Sequence, residues 1–576
     1  MKLSTTNIIT CLFFLLNSVS FTTFSQDAKF PQNYFRAPVD FTMTLSGNFA
    51  ELRNNHFHSG IDIRTFTTGK KVYSIADGFV SRIKIAAGGY GKAIYINHPN
   101  GYTSVYAHLD HFNPEIEKFI KAHQYKKNSF EFDLELKKDQ IQIKKGNIIA
   151  YSGNTGSSAG PHLHFEIRDT KSEHPLNPLL FGFRIKDTTP PKIFNLYIYP
   201  LDSISSVNGH NTRQQFSVTY YNNAYHLKGD PKVRLLGQIG FALETNDYMD
   251  NTWGKCGIFE LKMNINDSLQ TNYKFKEFSF DKSRFINSHM DYALNITKKK
   301  RIHKTFKDPN NQLSIYSKMN NNGVYSFKSE KSYKIDFIIS DAKNNISKLR
   351  VYAKGATSIK AFPQEKFTKL LNWETENIYE NSGIQIKFPK NSFYTDLKFN
   401  YSVKKDSNFY SDIYSIQNEN VPVHTYYTLS IKPRTIPNHK SEKLLIVRVN
   451  KDKSLSYEGG IYFDGSMKTK TRYFGDFTIA IDTVPPTIKA RTNFALNSLK
   501  GQKSIRFSID DELSGIKSYK GLIDEKWVLF EYDEKNKLLF YTFDKKRLIS
   551  GRKHKLQLIV TDKIGNKSNF KEEFIW

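Results

Sequence analysis

Residues 160–167 read Gly160-Pro161-His162-Leu163-His164-Phe165-Glu166-Ile167. The alternation in this stretch settles its local structure. Leu163, Phe165 and Ile167 fall on one side of a period-two chain and His162 and His164 on the other. The segment is therefore read as a β-strand, with an apolar face toward a core and both imidazoles on the opposite face. Two neighbouring imidazoles repel if both are charged. A shared metal ion or a shared catalytic task explains the pair; two ordinary strand histidines facing solvent is the alternative this stretch leaves open.

Two upstream segments bear on that choice. Residues 56–63 read His56-Phe57-His58-Ser59-Gly60-Ile61-Asp62-Ile63, and residues 106–109 read Tyr106-Ala107-His108-Leu109. Zinc takes nitrogen and oxygen donors tetrahedrally at about 2.0–2.2 Å, and a catalytic site keeps one position open. Two histidines and one aspartate from separated segments meet that count without cysteine. Gly60, between His58 and Asp62, is expected to let the backbone bend so that the two side chains converge. Glu166 shares the face of His164 and reads either as a support for it or as a solvated strand residue. His56, His98, His111 and His123 are expected at the surface or in supporting positions.

Together the three segments resemble the lysostaphin/LytM-type zinc metallopeptidases. Further matching text is Lys71-Val72-Tyr73-Ser74-Ile75-Ala76-Asp77-Gly78-Phe79-Val80, Gly89-Tyr90-Gly91-Lys92 and Gly153-Asn154-Thr155-Gly156. The resemblance covers about residues 45–180. It implies an antiparallel β catalytic domain of the duplicated-hybrid-motif type that carries one Zn2+ per chain. His58, Asp62 and His164 would be the zinc ligands, and His162 and His108 the catalytic histidines. Residues 112–145 are longer and more charged than the family's usual connection. They are expected to contain a helix near 115–123 and to form a lid or groove wall.

The remaining features bound the setting. A chain of 576 residues is too long for one core. Its 39% hydrophobic and 24% charged residues exclude a disordered chain, and 14% aromatics suit β-structure. Lys2 followed by the apolar run at 8–16 reads as a signal peptide over 1–25, too short to span a membrane. No other run is long enough to cross a bilayer, so the mature chain is expected to have no transmembrane segment and to be exported, to a periplasm or beyond the cell. Of the two cysteines, Cys11 lies in the leader and Cys256 is read as a buried small apolar residue. A net charge of +28 favours acidic surroundings. Export and the scatter of the lysines exclude nucleic acid and point to an anionic envelope polymer.

Two near-identical marks, Asp187-Thr188-Thr189-Pro190-Pro191 and Asp482-Thr483-Val484-Pro485-Pro486, read as rigid linkers. Each is followed by an alternating strand. Later comes an apolar strand ending in acids, Glu244-Thr245-Asn246-Asp247 or Ile509-Asp510-Asp511. Each block then closes on a strand–turn–strand whose turn is Asp341-Ala342-Lys343-Asn344-Asn345 or Asp562-Lys563-Ile564-Gly565-Asn566. The expected architecture is mainly β: a peptidase domain at 27–186, an immunoglobulin-like β-sandwich at 187–355, a second sandwich at 356–481 and an immunoglobulin-like sandwich at 482–576. The function implied is hydrolysis of peptide cross-links in peptidoglycan, with the sandwiches available to an envelope protein partner. The alternatives are a catalytically silent wall-binding regulator of another hydrolase and a protein-processing metallopeptidase.

Overall fold

The computed structural model describes residues 30–250, 252–357, 362–363, 365–437, 440–494 and 498–576. The stretch read as a signal peptide, 1–25 with Cys11, lies outside them. The chain is mainly β, with 47% of residues in strands and 8% in helices. Among the described residues no helix is long and apolar enough to cross a membrane.

Four large apolar cores succeed one another along the chain. The first belongs to an 11-stranded sheet. Its principal strands, labelled in chain order, are β1 (Leu45–Gly47), β2 (Ile61–Arg64), β3 (Gly78–Ile85), β4 (Lys92–Asn97), β5 (Tyr102–Phe112), β6 (Ile148–Ser152) and β7 (His162–Asp169). They run β1-β2-β7-β5-β4-β3, and every pair is antiparallel. Ile61, Ile63, Tyr106, Leu163, Phe165 and Ile167 point to one side and are fully buried. That leaves the other face of β2, β5 and β7 for polar side chains.

The stretch after β5 contains helix α1 (Pro114–Lys127). Asn113 caps it by accepting from the Ile116 N–H at 2.9 Å, Pro114 opens it, and Asn128 closes it in a left-handed conformation. The helix is longer than the sequence suggested, and it is not a lid. Ile116 and Ile120, one turn apart, bury into the first core, and Tyr125 packs edge-on against Trp527 of the C-terminal domain at 5.1 Å.

The second core lies in a 12-stranded sheet whose strands include β8 (Lys192–Pro200), β9 (Val233–Asn246), β10 (Ser332–Ser340) and β11 (Ile346–Gly355). It takes in Phe49, Ala50, Leu52 and Phe57 from the first domain. The loop that carries His58 is therefore seated in the neighbouring domain, where the Phe57 N–H donates to Ser283 Oγ at 2.9 Å. The third core lies between two five-stranded sheets and the fourth between two four-stranded sheets. In the last domain β12 (Ser504–Asp510) and β13 (Lys553–Asp562) belong to opposite sheets. This domain folds back on the first: Lys92 pairs with Glu531 at 2.8 Å, and Lys535 donates to the Ser158 carbonyl at 2.8 Å. Cys256 is buried, as read.

Candidate metal centre

Strand register assembles the site. His164 lies opposite Asp62 across β2 and opposite Ala107 across β5. His58 reaches the same point from the loop before β2. Gly60 has a different reason for being glycine from the one read in the sequence. A Cβ there would stand 2.3 Å from the Phe165 carbonyl oxygen, so close approach of the backbone to β7 requires it, not a bend.

His108 arrives by an irregularity. Simple alternation from Tyr106 would send its ring into the core. Instead it takes φ +59°, the pairing of β5 with its neighbours slips beside it, and Ala107 and His108 both end on the site face. The ring centroids of His108 and His162 are 4.8 Å apart, and those of His108 and His164 are 5.9 Å apart.

Three atoms converge at the centre. His58 Nε2, Asp62 Oδ1 and His164 Nδ1 stand 3.0, 2.9 and 3.0 Å from one another, and all three residues are buried. The outer partners assign the protons. His58 donates from Nδ1 to the Asn48 carbonyl at 2.7 Å, and His164 donates from Nε2 to Glu166 Oε1 at 2.8 Å. Both inward nitrogens then carry lone pairs, as does Asp62 Oδ1. Three acceptors with no hydrogen between them need a cation. Donors of a tetrahedral ion at about 2.0–2.1 Å are spaced about 3.3 Å apart, close to the observed triangle, so the residues fit a divalent metal. Without one, a proton does the same work. Burial disfavours charge on His164, but Asp62 and Glu166 on either side bring its pKa up to about 9. Asp62 is held well below the usual carboxylate range, because His58, His162 and His164 together outweigh its burial. Arg53 fixes its other oxygen at 2.7 Å.

The two remaining histidines have fixed tautomers as well. His108 donates from Nδ1 to the Thr155 carbonyl at 2.9 Å, and His162 from Nδ1 to the Gly160 carbonyl at 2.9 Å. Burial, then His164 and His162, bring the pKa of His108 down to about 3.

Glu166 proves to be a support for the centre. It is fully buried and accepts from His164, from Ser59 at 2.6 Å, from Tyr90 and from Arg168 at 2.6 Å. Arg168 and Tyr90 had no role in the sequence reading. The signal for Arg168 was the same period of two, which continues through His162, His164 and Glu166 to 168. His98 is buried rather than superficial, bonded to the Asp77 carbonyl and Ser104, and stands apart from the centre. His111 stacks on Tyr151, and His123 packs at a tilt against Phe119.

A cleft of about 850 Å³ opens onto the centre. His58, Tyr90, His108 and His164 form its floor, and Arg284, His424 and Arg472 of the following domains form its far wall. None of its lining residues comes from 112–145, the stretch expected to form a lid or groove wall.

An antiparallel sheet carrying converging acceptors beside tautomer-fixed histidines defines a site of metallopeptidase type. The model of Peptidase family M23 matches residues 56–125 and 131–178, and this domain of the chain belongs to that family. The match falls in two segments, interrupted at 126–130 within the stretch read as an insert. A Zu5-like domain matches residues 368–482. Similar curated proteins include an uncharacterised metalloprotease of Haemophilus influenzae, 34% identical over 22% of this chain and 22% of that protein. The DD-carboxypeptidase/endopeptidase Mpg of Neisseria meningitidis is 34% identical over 21% of this chain and 22% of its own length. The murein hydrolase activator NlpD of Escherichia coli is 35% identical over 21% and 26%. The matches thus span about a quarter or less of these relatives. Similar solved structures include a zinc-containing peptidase from Vibrio cholerae, with 27% identity, 27% of this chain and 41% of that chain covered, and a TM-score of 0.20. The catalytic domain of lysostaphin from Staphylococcus simulans gives 24% identity, 24% and 88% coverage, and a TM-score of 0.18.

Proposed function

We propose that this chain is an exported zinc metalloendopeptidase that hydrolyses peptide cross-links of bacterial peptidoglycan. His58, Asp62 and His164 hold one Zn2+, and His108 and His162 act on the substrate. The observation that carries the reading is the triangle of three lone-pair atoms with every outer hydrogen bond already made. Relatives named as a DD-carboxypeptidase/endopeptidase and a murein hydrolase activator support the substrate class. Arg53, Arg284 and Arg472 along the cleft suit a peptide that carries carboxylates.

Zinc bound there supplies Lewis acidity toward the scissile carbonyl and acidifies water beside it. His108, neutral and tied at Nδ1, has Nε2 free to take the proton of the attacking water. The proton so taken would then be returned from His108 to the leaving amine. His162 has Nε2 3.5 Å from Asp62 Oδ1 with its ring held through Nδ1, and is assigned to the developing oxyanion as an imidazolium that donates from both nitrogens. The domain division proposed is 27–186, 187–355, 356–481 and 482–576, the second and last immunoglobulin-like and available to an envelope partner.

The test is zinc content together with muropeptide release, on the wild type, His164→Ala and His108→Ala. One zinc and cleavage in the wild type, loss of both in His164→Ala, and retained zinc without cleavage in His108→Ala are expected. Zinc without cleavage of wall, but with cleavage of casein, would move the assignment to a protein-processing peptidase. Zinc without cleavage of either would leave a regulator.

A further inference from the structure

We propose that the two Asp-Pro-Pro linkers are calcium sites, each binding one Ca2+ between a linker aspartate and two aspartates of the domain that follows it. At the first, carboxylate oxygens of Asp187, Asp247 and Asp341 lie within 4.8 Å of one another; at the second, those of Asp482, Asp511 and Asp562 do so. These acids belong to the linkers, the strand ends and the closing turns that recur in the sequence, and the peptidase reading uses none of them.

Burial argues for a ligand. Asp187, Asp247 and Asp341 are 9%, 0% and 2% exposed, and Asp482 and Asp562 are 3% and 0% exposed. Neither oxygen of Asp247 has a hydrogen-bond partner, and Oδ2 of both Asp187 and Asp482 is likewise unpartnered. Among the described residues no lysine, arginine or histidine pairs with any of the six. Carboxylates removed from water without a donor or a countercharge are costly, so such groups bind metal or take up protons.

The surrounding bonds are repeated in both places, which a chance cluster of acids does not explain. In the first, Oδ1 of Asp341 accepts from the Lys343 and Asn345 N–H groups at 2.8 and 2.9 Å, and the Asn345 side chain bridges Asp341 Oδ2 to the Asp187 carbonyl. In the second, Oδ1 of Asp562 accepts from the Ile564 and Asn566 N–H groups at 3.0 and 2.8 Å, and Asn566 bridges Asp562 Oδ2 to the Asp482 carbonyl. Ser347 and Ser568 each donate to the carbonyl of the linker's second proline, Pro191 and Pro486. Asp341 and Asp562 are thus oriented from outside, while Oδ2 of Asp187 and Asp482 and both oxygens of Asp247 are left without a partner.

The donor chemistry selects the ion. All six side chains offer oxygen, and none offers nitrogen or sulfur, which excludes a zinc-type site. Ligands on opposite sides of Ca2+ are at most about 5 Å apart, matching the spread of the carboxylates. Irregular linker and turn segments suit the flexible coordination of Ca2+ better than the strict octahedron of Mg2+. Bound calcium would tie each linker to the two loops it crosses and so fix the angle between successive domains.

The experiment is calcium equilibrium dialysis and thermal unfolding on the full mature chain. The protein is stripped with EDTA, reloaded with one equivalent of zinc, and compared with Asp247→Asn and Asp562→Asn. At about 1–5 mM calcium the wild type should bind two ions and each variant one, and the wild-type Tm should rise by several degrees with calcium but not with magnesium. Calcium-free, Asp247→Asn should not melt below the wild type, since neither oxygen of Asp247 accepts a hydrogen bond and the change removes a carboxylate from a repelling group; Asp562→Asn also loses an acceptor for the Asn566 amide, so only its ion count is read. No calcium bound by the wild type, or two ions still bound by both variants, overturns the proposal. Should either variant fail to fold, the wild-type count decides, and fewer than two ions refutes it.

Discussion

Gly60→Ala isolates the close approach that positions the metal centre. The added Cβ would lie 2.3 Å from the Phe165 carbonyl oxygen, 2.9 Å from Glu166 Cγ and 3.0 Å from the Phe165 carbonyl carbon. An ordinary carbon–oxygen contact is about 3.3 Å or more, so β2 and β7 must part by about 1 Å where they hold Asp62 and His164 in register. Overpacking of this kind costs about 1–3 kcal/mol. In a domain of this size that lowers Tm by about 2–4 °C for each kcal/mol. Displacing catalytic groups by about 1 Å costs on the order of 100-fold in turnover. Differential scanning calorimetry, zinc stoichiometry and muropeptide release would be measured beside Gly160→Ala. A Cβ at Gly160 meets nothing within 4 Å and the residue lies in the same site, so this control should behave as wild type. A Gly60→Ala protein with wild-type Tm and turnover would refute the packing argument, and equal damage in both variants would show that the assay reads something other than the clash.

Two further outcomes follow from the same interactions. Glu166→Gln keeps the shape but removes the charge that His164 and Arg168 share; zinc affinity, read by chelator competition, should fall about 10–100-fold, and an unchanged affinity would remove Glu166 from the centre. Burial brings His98 down to about 4 while the unfolded chain titrates near 6.5, so the unfolded state binds the extra proton in that window. Stability should be full above pH 6.5 and fall toward pH 4, by on the order of 3 kcal/mol; a slope unchanged in His98→Gln would assign the acid sensitivity to other groups.

The candidate metal centre was legible because the residues that converge there obey local rules. His162 and His164 share a face through the period of two, and His58 and Asp62 recur at a spacing that a short strand entry can gather. The mainly β architecture was legible for the same reason, since alternation is written residue by residue. What depends on partners distant in sequence was not. His108 was named through the family resemblance and not through alternation, for it reaches the site only because β5 slips against its neighbours and the residue takes a left-handed φ. Gly60 read as a hinge because the Phe165 carbonyl that excludes a side chain is about a hundred residues away. Phe49 and Phe57 look like first-domain residues yet bury in the second core, and helix α1 looked like a lid until Trp527 was seen against it. The linker and turn aspartates each carry an ordinary local explanation as caps and strand ends. Local sequence determines backbone period and residue chemistry, whereas tertiary packing alone decides which polar atoms lose water together, and that loss is what turns three separate carboxylates into a site.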